Sequence, residues 1–147
     1  MGLRFFICSM LILSATVKAQ SLEDYRKNYI SSKSDKSLCE TMINYLHKEE
    51  KTPLYQAYLG AYQAMWANHV FSPISKLSTF NKGKKNIQAA VSKDTENIEI
   101  RILRYSVQNN APGFLGFNKE LKQDKIFIKN KKNDISNPYL IQLISDL

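Results

Sequence analysis

The stretch from Thr52 to Phe71, TPLYQAYLGAYQAMWANHVF, contains no Asp, Glu, Lys or Arg in a chain that carries 21 lysines and arginines. A charge-free segment of this length calls for burial, and the spacing of its apolar residues says in what form. Leu54, Tyr58 and Met65, together with Tyr55, Leu59, Tyr62, Trp66 and Val70, recur at steps of three and four, the period of a helix with more than one apolar flank. Ala57, Ala61, Ala64 and Asn68 form a stripe of small side chains beside Gly60. Glycine in a helix interior costs about 1 kcal/mol relative to alanine, so Gly60 predicts that a neighbouring helix comes close. Thr52 can cap the first free N–H groups, and Pro53 suits a first turn that needs no donor. Asn68, His69 and Ser72-Pro73 supply the stop, because the residue before a proline avoids the helical region. The expectation is a central helix over about 53–70. Its length would also suit a membrane span, but Gln56, Gln63, Asn68 and His69 lie within it and argue for a protein interior instead.

Around that helix the chain divides into short amphipathic segments. Ser21 with Asp24 opens a first helix to about Ser31, and Ser34 or Asp35 caps a second one, with Leu38, Met42, Tyr45 and Leu46 on its inner face beside Cys39 and Ile43. Ser72-Pro73 begins a fourth helix directly after the third, which makes the two an antiparallel hairpin. Leu77, Phe80, Ile87, Ala90 and Val91 are expected inside it, and Gly83 allows a break or kink near its middle. Residues 98–103 alternate like a strand, Ile98, Ile100 and Ile102 against Glu99 and Arg101, whereas over twelve residues the spacing is helical. A lone strand with no partner cannot satisfy its backbone groups, so the segment is read as helix. Asn109 to Phe117 is a loop rich in breakers that also holds Phe114, Leu115 and Phe117. Those side chains either plug one end of the core or form an apolar lip on a groove. A sixth helix is expected from about Asn118 to Lys131 with Leu121, Ile126 and Ile128, and a last one from Pro138 to Leu147. The fold class is therefore all-α, six to seven short antiparallel helices packed around the central one.

The first residues, MGLRFFICSMLILSATVKA, place Arg4 before an apolar run from Phe5 to Leu13 and end in Val17-Lys18-Ala19, the anatomy of a secretory signal peptide. Residues 1–19 are expected to be removed and 20–147 to form a single helical domain, exported to a periplasmic or secreted location. Removal takes Arg4 and Lys18 and no acid, leaving 19 bases against 13 acids, a net charge of +6. Cys39 is then the only cysteine, so no intramolecular disulfide can form and stability must come from packing.

At the joint between the fourth and fifth helices, Ala89-Ala90, then Asp94-Thr95-Glu96-Asn97, then Ile98 onward, the chain resembles the helix–turn–helix of tetratricopeptide-like repeats, with Thr95 where that family has proline. Leu59-Gly60 is similar to the Leu-Gly pair of such a repeat's first helix, although Gly60 and Ala90 stand further apart than the family spacing. The resemblance implies helical hairpins. Taken whole, the chain also resembles the small exported helical proteins of Bacteroidota, a resemblance that brings no activity with it.

A zinc site needs several Cys or His at fixed spacing, and after residue 19 only Cys39, His47 and His69 remain. No nucleophile elbow, phosphate-binding glycine loop or dinucleotide fingerprint occurs. No catalytic set, metal or cofactor is therefore expected. His69, at the exit of the central helix, is either a structural histidine or the base of a small hydrolase. Tyr55, Tyr58, Tyr62, His69, Phe114 and Phe117 are the candidate ligand-binding residues. Lys82, Lys84, Lys85, Lys129, Lys131 and Lys132 are either a solvated surface or a binder of an anionic envelope polymer or lipid surface. Because the tyrosines and Trp66 fall on apolar faces, the interleaved stacking surface that nucleic acid requires is missing, and no nucleic-acid partner is expected. The leading expectation is an exported, non-catalytic interaction or scaffold module that binds a protein or peptide partner.

Overall fold

The computed structural model describes residues 20–147; the expected leader, with Cys8 inside it, lies outside the described residues. Seven α-helices follow one another with no strand among the described residues: α1 (Leu22–Tyr29), α2 (Lys36–Leu46), α3 (Pro53–Trp66), α4 (Pro73–Lys93), α5 (Ile98–Asn110), α6 (Leu121–Asn130) and α7 (Pro138–Leu143). Short 3-10 turns at Ser31–Lys33, Gly113–Leu115 and Lys132–Asp134 join them.

Local chemistry starts most of these helices. Ser21 and Asp24 form a reciprocal capping box at α1, and Asp35 accepts from the Leu38 N–H at α2. Thr52 and Ser72 cap α3 and α4, each followed by proline in the first turn. Asn97 accepts from the N–H groups of Glu99 and Ile100 and so starts α5, which settles the helix over the alternating pattern at 98–103. Asn137 caps α7 in the same way.

The third helix packs against α2, α4 and α5 and is the hub of the larger core cluster, which also draws Tyr25 and Tyr29 from α1. A second hub is α5, buried on every side from Glu99 to Gln108. Ile100, Leu103 and Val107 of α5 join the larger core, while Ile102 and Tyr105 meet Ile128 of α6 and Leu140 and Ile144 at the chain's end in a smaller one.

Gly83 does not break α4, which runs unbroken from Pro73 to Lys93. It sits where α3 and α4 cross, opposite Gly60. A Cβ on Gly60 would come within 2.6 Å of the Gly83 carbonyl oxygen and 2.8 Å of the Ile87 nitrogen, so the two backbones touch. Close approach expected from Gly60 is thus realised by a pair of glycines, one from each helix.

Several expected inward positions are at the surface. Leu77 keeps 49% exposure, and Tyr45 and Ile126 are also exposed, because no helix among the described residues covers those side chains. The α3 helix ends at Trp66 rather than near residue 70, where the N–H groups of Asn68 and His69 turn back to the carbonyls of Met65 and Trp66. The α6 and α7 helices are likewise shorter than expected, yet Ile144, beyond the end of α7, remains buried. No helix among the described residues is long and apolar enough to cross a membrane.

Candidate functional site

Of the tyrosines on α3, Tyr58 and Tyr62 are fully buried and Tyr55 is half-buried. The Tyr58 hydroxyl donates to Glu99 Oε1 at 2.6 Å, and the Tyr62 hydroxyl donates to the Tyr25 carbonyl at 2.8 Å. Burial is the main force holding the protons on both hydroxyls well above the ordinary phenol range, with the neighbouring Glu99 charge adding to it at Tyr58. Neither ring faces an opening. Tyr55 lines a small polar hollow of about 240 Å³ beside Glu49, Lys51 and Lys93. Gln56 and Gln63, the polar edge of α3, are taken up by Asn86 of α4, at 3.4 Å and 2.8 Å.

His69 is a staple between two parts of the chain. Its Nε2 lies 2.9 Å from the Ser32 carbonyl oxygen, which can only accept, so that nitrogen carries the proton. The ring leans on Trp66, with centroids 5.6 Å apart. With Nε2 committed to a carbonyl, only Nδ1 could supply the lone pair that a general base needs.

The lysines divide between two elements that both pack on α5. Lys82 and Lys85 on α4 are exposed, whereas Lys84 lies over the Phe117 ring at 5.5 Å. Lys129 and Lys132 are exposed, and Lys131 is engaged twice, with Glu96 at 2.9 Å and with the Phe127 ring at 4.4 Å.

The loop at 109–117 does both things expected of it, through different side chains. Phe117 is buried edge-on against Phe80 and plugs the core, while Phe114 stands 88% exposed. Phe114 borders a cleft of about 620 Å³. The cleft arises because α4 begins before it reaches α3: its first two turns, from Pro73 through Ser78, are exposed, and only from Phe80 onward is it covered. Ala61, Ala64 and Met65 of α3 and Val107 of α5 form apolar surface in it. Pro73, Leu77 and Phe80 of α4 face them, and Phe114 with Leu115 completes the lip. Tyr29, packed beside Ser106, contributes a hydroxyl that burial pushes up to about 12. Among the described residues Lys33 and Lys76 supply the only charges that line the cleft, and no carboxylate does. Phe71, just before α4, and Ile74, in its first turn, are also strongly exposed.

Two carboxylates, Glu99 and Asp124, are buried. Asp124 of α6 is fully buried and accepts four hydrogen bonds: from Arg101 Nη1 at 2.8 Å, from Arg104 Nε and Nη2 at 2.7 Å each, and from Gln108 Nε2 at 2.8 Å. Glu99 is held bidentately by Arg26, at 2.8 Å and 2.6 Å, besides the Tyr58 contact. Arg101, Arg104 and Gln108 share one helical face, a signal present in the sequence once residues 98–110 are read as helix. Both arrangements are closed knots of ion pairs that tie α5 to α6 and to α1. Neither opens on a cleft. Among the described residues no group of three His, Cys, Asp or Glu is placed to hold a metal.

Cys39 is buried with its Sγ 3.7 Å from the Tyr62 carbonyl, and burial pushes its thiol up to about 12. In a Cys8→Ser background, the Cys39 thiol is expected to react with a maleimide at neutral pH more than about a hundredfold more slowly in native protein than in denaturant. Comparable rates in the two states would place the thiol at an accessible surface.

Compared with protein-family models, with curated proteins and with solved structures, the chain finds no match.

Proposed function

We propose that the protein is an exported, non-catalytic interaction module that holds an apolar segment of a protein or peptide partner in the cleft between α3, α4 and the 110–115 loop. The observation that carries this reading is the overhang of α4. Large apolar side chains at Leu77 and Phe114 stand exposed around a floor of small ones, although the same helix buries Phe80, Ile87 and Val91 completely or nearly so. Contiguous exposed apolar surface at a concave site marks a place where another molecule is bound. The polar groups nearby serve the fold: Asn110 Nδ2 donates to the Ser106 carbonyl at 2.7 Å, and His69 is tied to Ser32. The ligand-binding set accordingly narrows to Phe114 from the residues first singled out, joined by Leu77 and Leu115.

A photo-reactive phenylalanine analogue installed at Leu77 tests the reading in cells of the native host. It is expected to capture a polypeptide adduct of defined mass that the same group at Lys122, an exposed position on α6 outside the cleft, does not capture. Absence of an adduct at Leu77, or equal capture at both positions, would overturn it.

A further inference from the structure

We infer that the cleft's partner is an amphipathic helix whose apolar stripe is flanked by acidic residues, an identification that rests on the reading of the cleft as a protein-binding site. Three properties of the site lead to it. First, the described chain offers no strand edge, so an extended peptide could not gain backbone hydrogen bonds by joining a sheet. In a mostly apolar cleft its N–H and C=O groups would lose water without finding partners, whereas a helix satisfies its own backbone. Second, the cleft is open along its length rather than enclosed. Leu77 and Phe114 remain 49% and 88% exposed while lining it, and Ile74, in the first turn of α4, is also strongly exposed. An acyl chain laid there would leave much of its surface in water; a helix presents one apolar stripe to the cleft and a polar face outward. Third, among the described residues the only charges lining the cleft are the ammonium groups of Lys33, from the 3-10 turn after α1, and Lys76, from α4. Both are exposed and neither has an ion-pair partner among the contacts within 4.0 Å. Opposite charge across an interface rim favours encounter and orientation, and like charge opposes it. The same two lysines disfavour a second copy of this chain, which would bring cation against cation on an isologous face.

The test uses the full chain and two fluorescently labelled synthetic helices of about four turns. Both carry leucine at positions i, i+3, i+4 and i+7; one has glutamate on the flanks, the other lysine. By fluorescence anisotropy at low salt the glutamate peptide is expected to bind about threefold to tenfold more tightly, the range that two exposed ion pairs supply. In the Lys33→Glu, Lys76→Glu variant the preference is expected to invert, and in Leu77→Glu binding of both peptides is expected to be lost. All three positions are exposed, and circular dichroism verifies that each variant keeps its helix content. Equal binding of the two peptides, or a preference unchanged by the lysine reversals, would overturn the acidic partner and leave the cleft reading intact. Binding of oleate with no binding of either peptide would overturn the helical partner in favour of an acyl chain. Failure of both peptides together with capture at Leu77 would overturn the helix chemistry alone; failure of both with no capture would bring down the cleft reading as well.

Discussion

Asp124→Ala is expected to lower the stability of the protein by about 3–5 kcal/mol, the cost of leaving buried charge without its partner. Asp124 is fully buried, and the Arg101 and Arg104 side chains that bind it are only 10% and 7% exposed. Removing the carboxylate strips three guanidinium hydrogen bonds and one from Gln108 at a stroke. What remains is two cations in a poorly hydrated site, with Arg101 still donating to the Thr95 carbonyl and stacked on Phe127. Gln108 Oε1 is a buried acceptor without a hydrogen-bond partner, but one neutral amide oxygen does not replace a carboxylate shared by two guanidinium groups. The loss is read from urea unfolding monitored by Trp66, the single tryptophan. Replacing Arg101, Arg104 and Asp124 together by apolar residues of similar volume is expected to recover most of it, because the penalty comes from unpaired charge rather than from the absence of an ion pair. A loss below about 1 kcal/mol in Asp124→Ala would mean that water reaches the arginines, and would contradict the closed cluster.

Gly83→Ala is the second large expectation, a net destabilisation of about 2 kcal/mol or more. In an open helix the same change would stabilise by about 1 kcal/mol, because alanine is the better helix former. At this crossing the new methyl would stand 2.5 Å from the Ala64 nitrogen and closer still to the Gly60 carbonyl oxygen. Both obstacles are backbone, so the helices must part, and the strain reaches Ile87 and Ala64 in the core. Gly113→Ala is the control: nothing lies within 4 Å of its added Cβ, and the change is expected to alter stability by less than about 0.5 kcal/mol. Stabilisation by Gly83→Ala would show that the helices are not in backbone contact.

Helix positions were largely legible in the sequence because their causes are local. Ser21, Asp35, Thr52, Ser72 and Asn137 lie next to the helices that they cap, and Pro53, Pro73 and Pro138 mark first turns. The burial of Cys39 could be read from its place on an apolar face. The fate of residues 109–117 could be read only as a pair of alternatives, since apolar residues among breakers do not say which of them turns inward; Phe117 does and Phe114 does not. The candidate site was legible only in part. Tyr58 and Tyr62 were chosen for their aromatic character on a charge-free helix, but the same spacing suits a core, and their hydroxyls are consumed by Glu99 and the Tyr25 carbonyl. Glu99 and Asp124 were missed because an acidic residue in a polar-looking segment reads as exposed until its partners, Arg26 from α1 and Arg101 and Arg104 from α5, are brought to it.

What the sequence by itself determined is the all-helical class, the starts of most helices, and the close approach at Gly60. These follow from capping groups, proline and side-chain spacing, all of which act within a turn or two of chain. Only the tertiary structure decided which apolar residues are covered. Along α4, Ile74, Leu77 and Phe80 follow one helical spacing, yet Phe80 is buried and Ile74 and Leu77 are not. The difference is that α3 ends at Trp66 and no other helix among the described residues covers the first turns of α4. Periodicity fixes the face that a helix offers; the length and placement of its neighbours fix how much of that face is left open, and in this protein the uncovered part is the cleft.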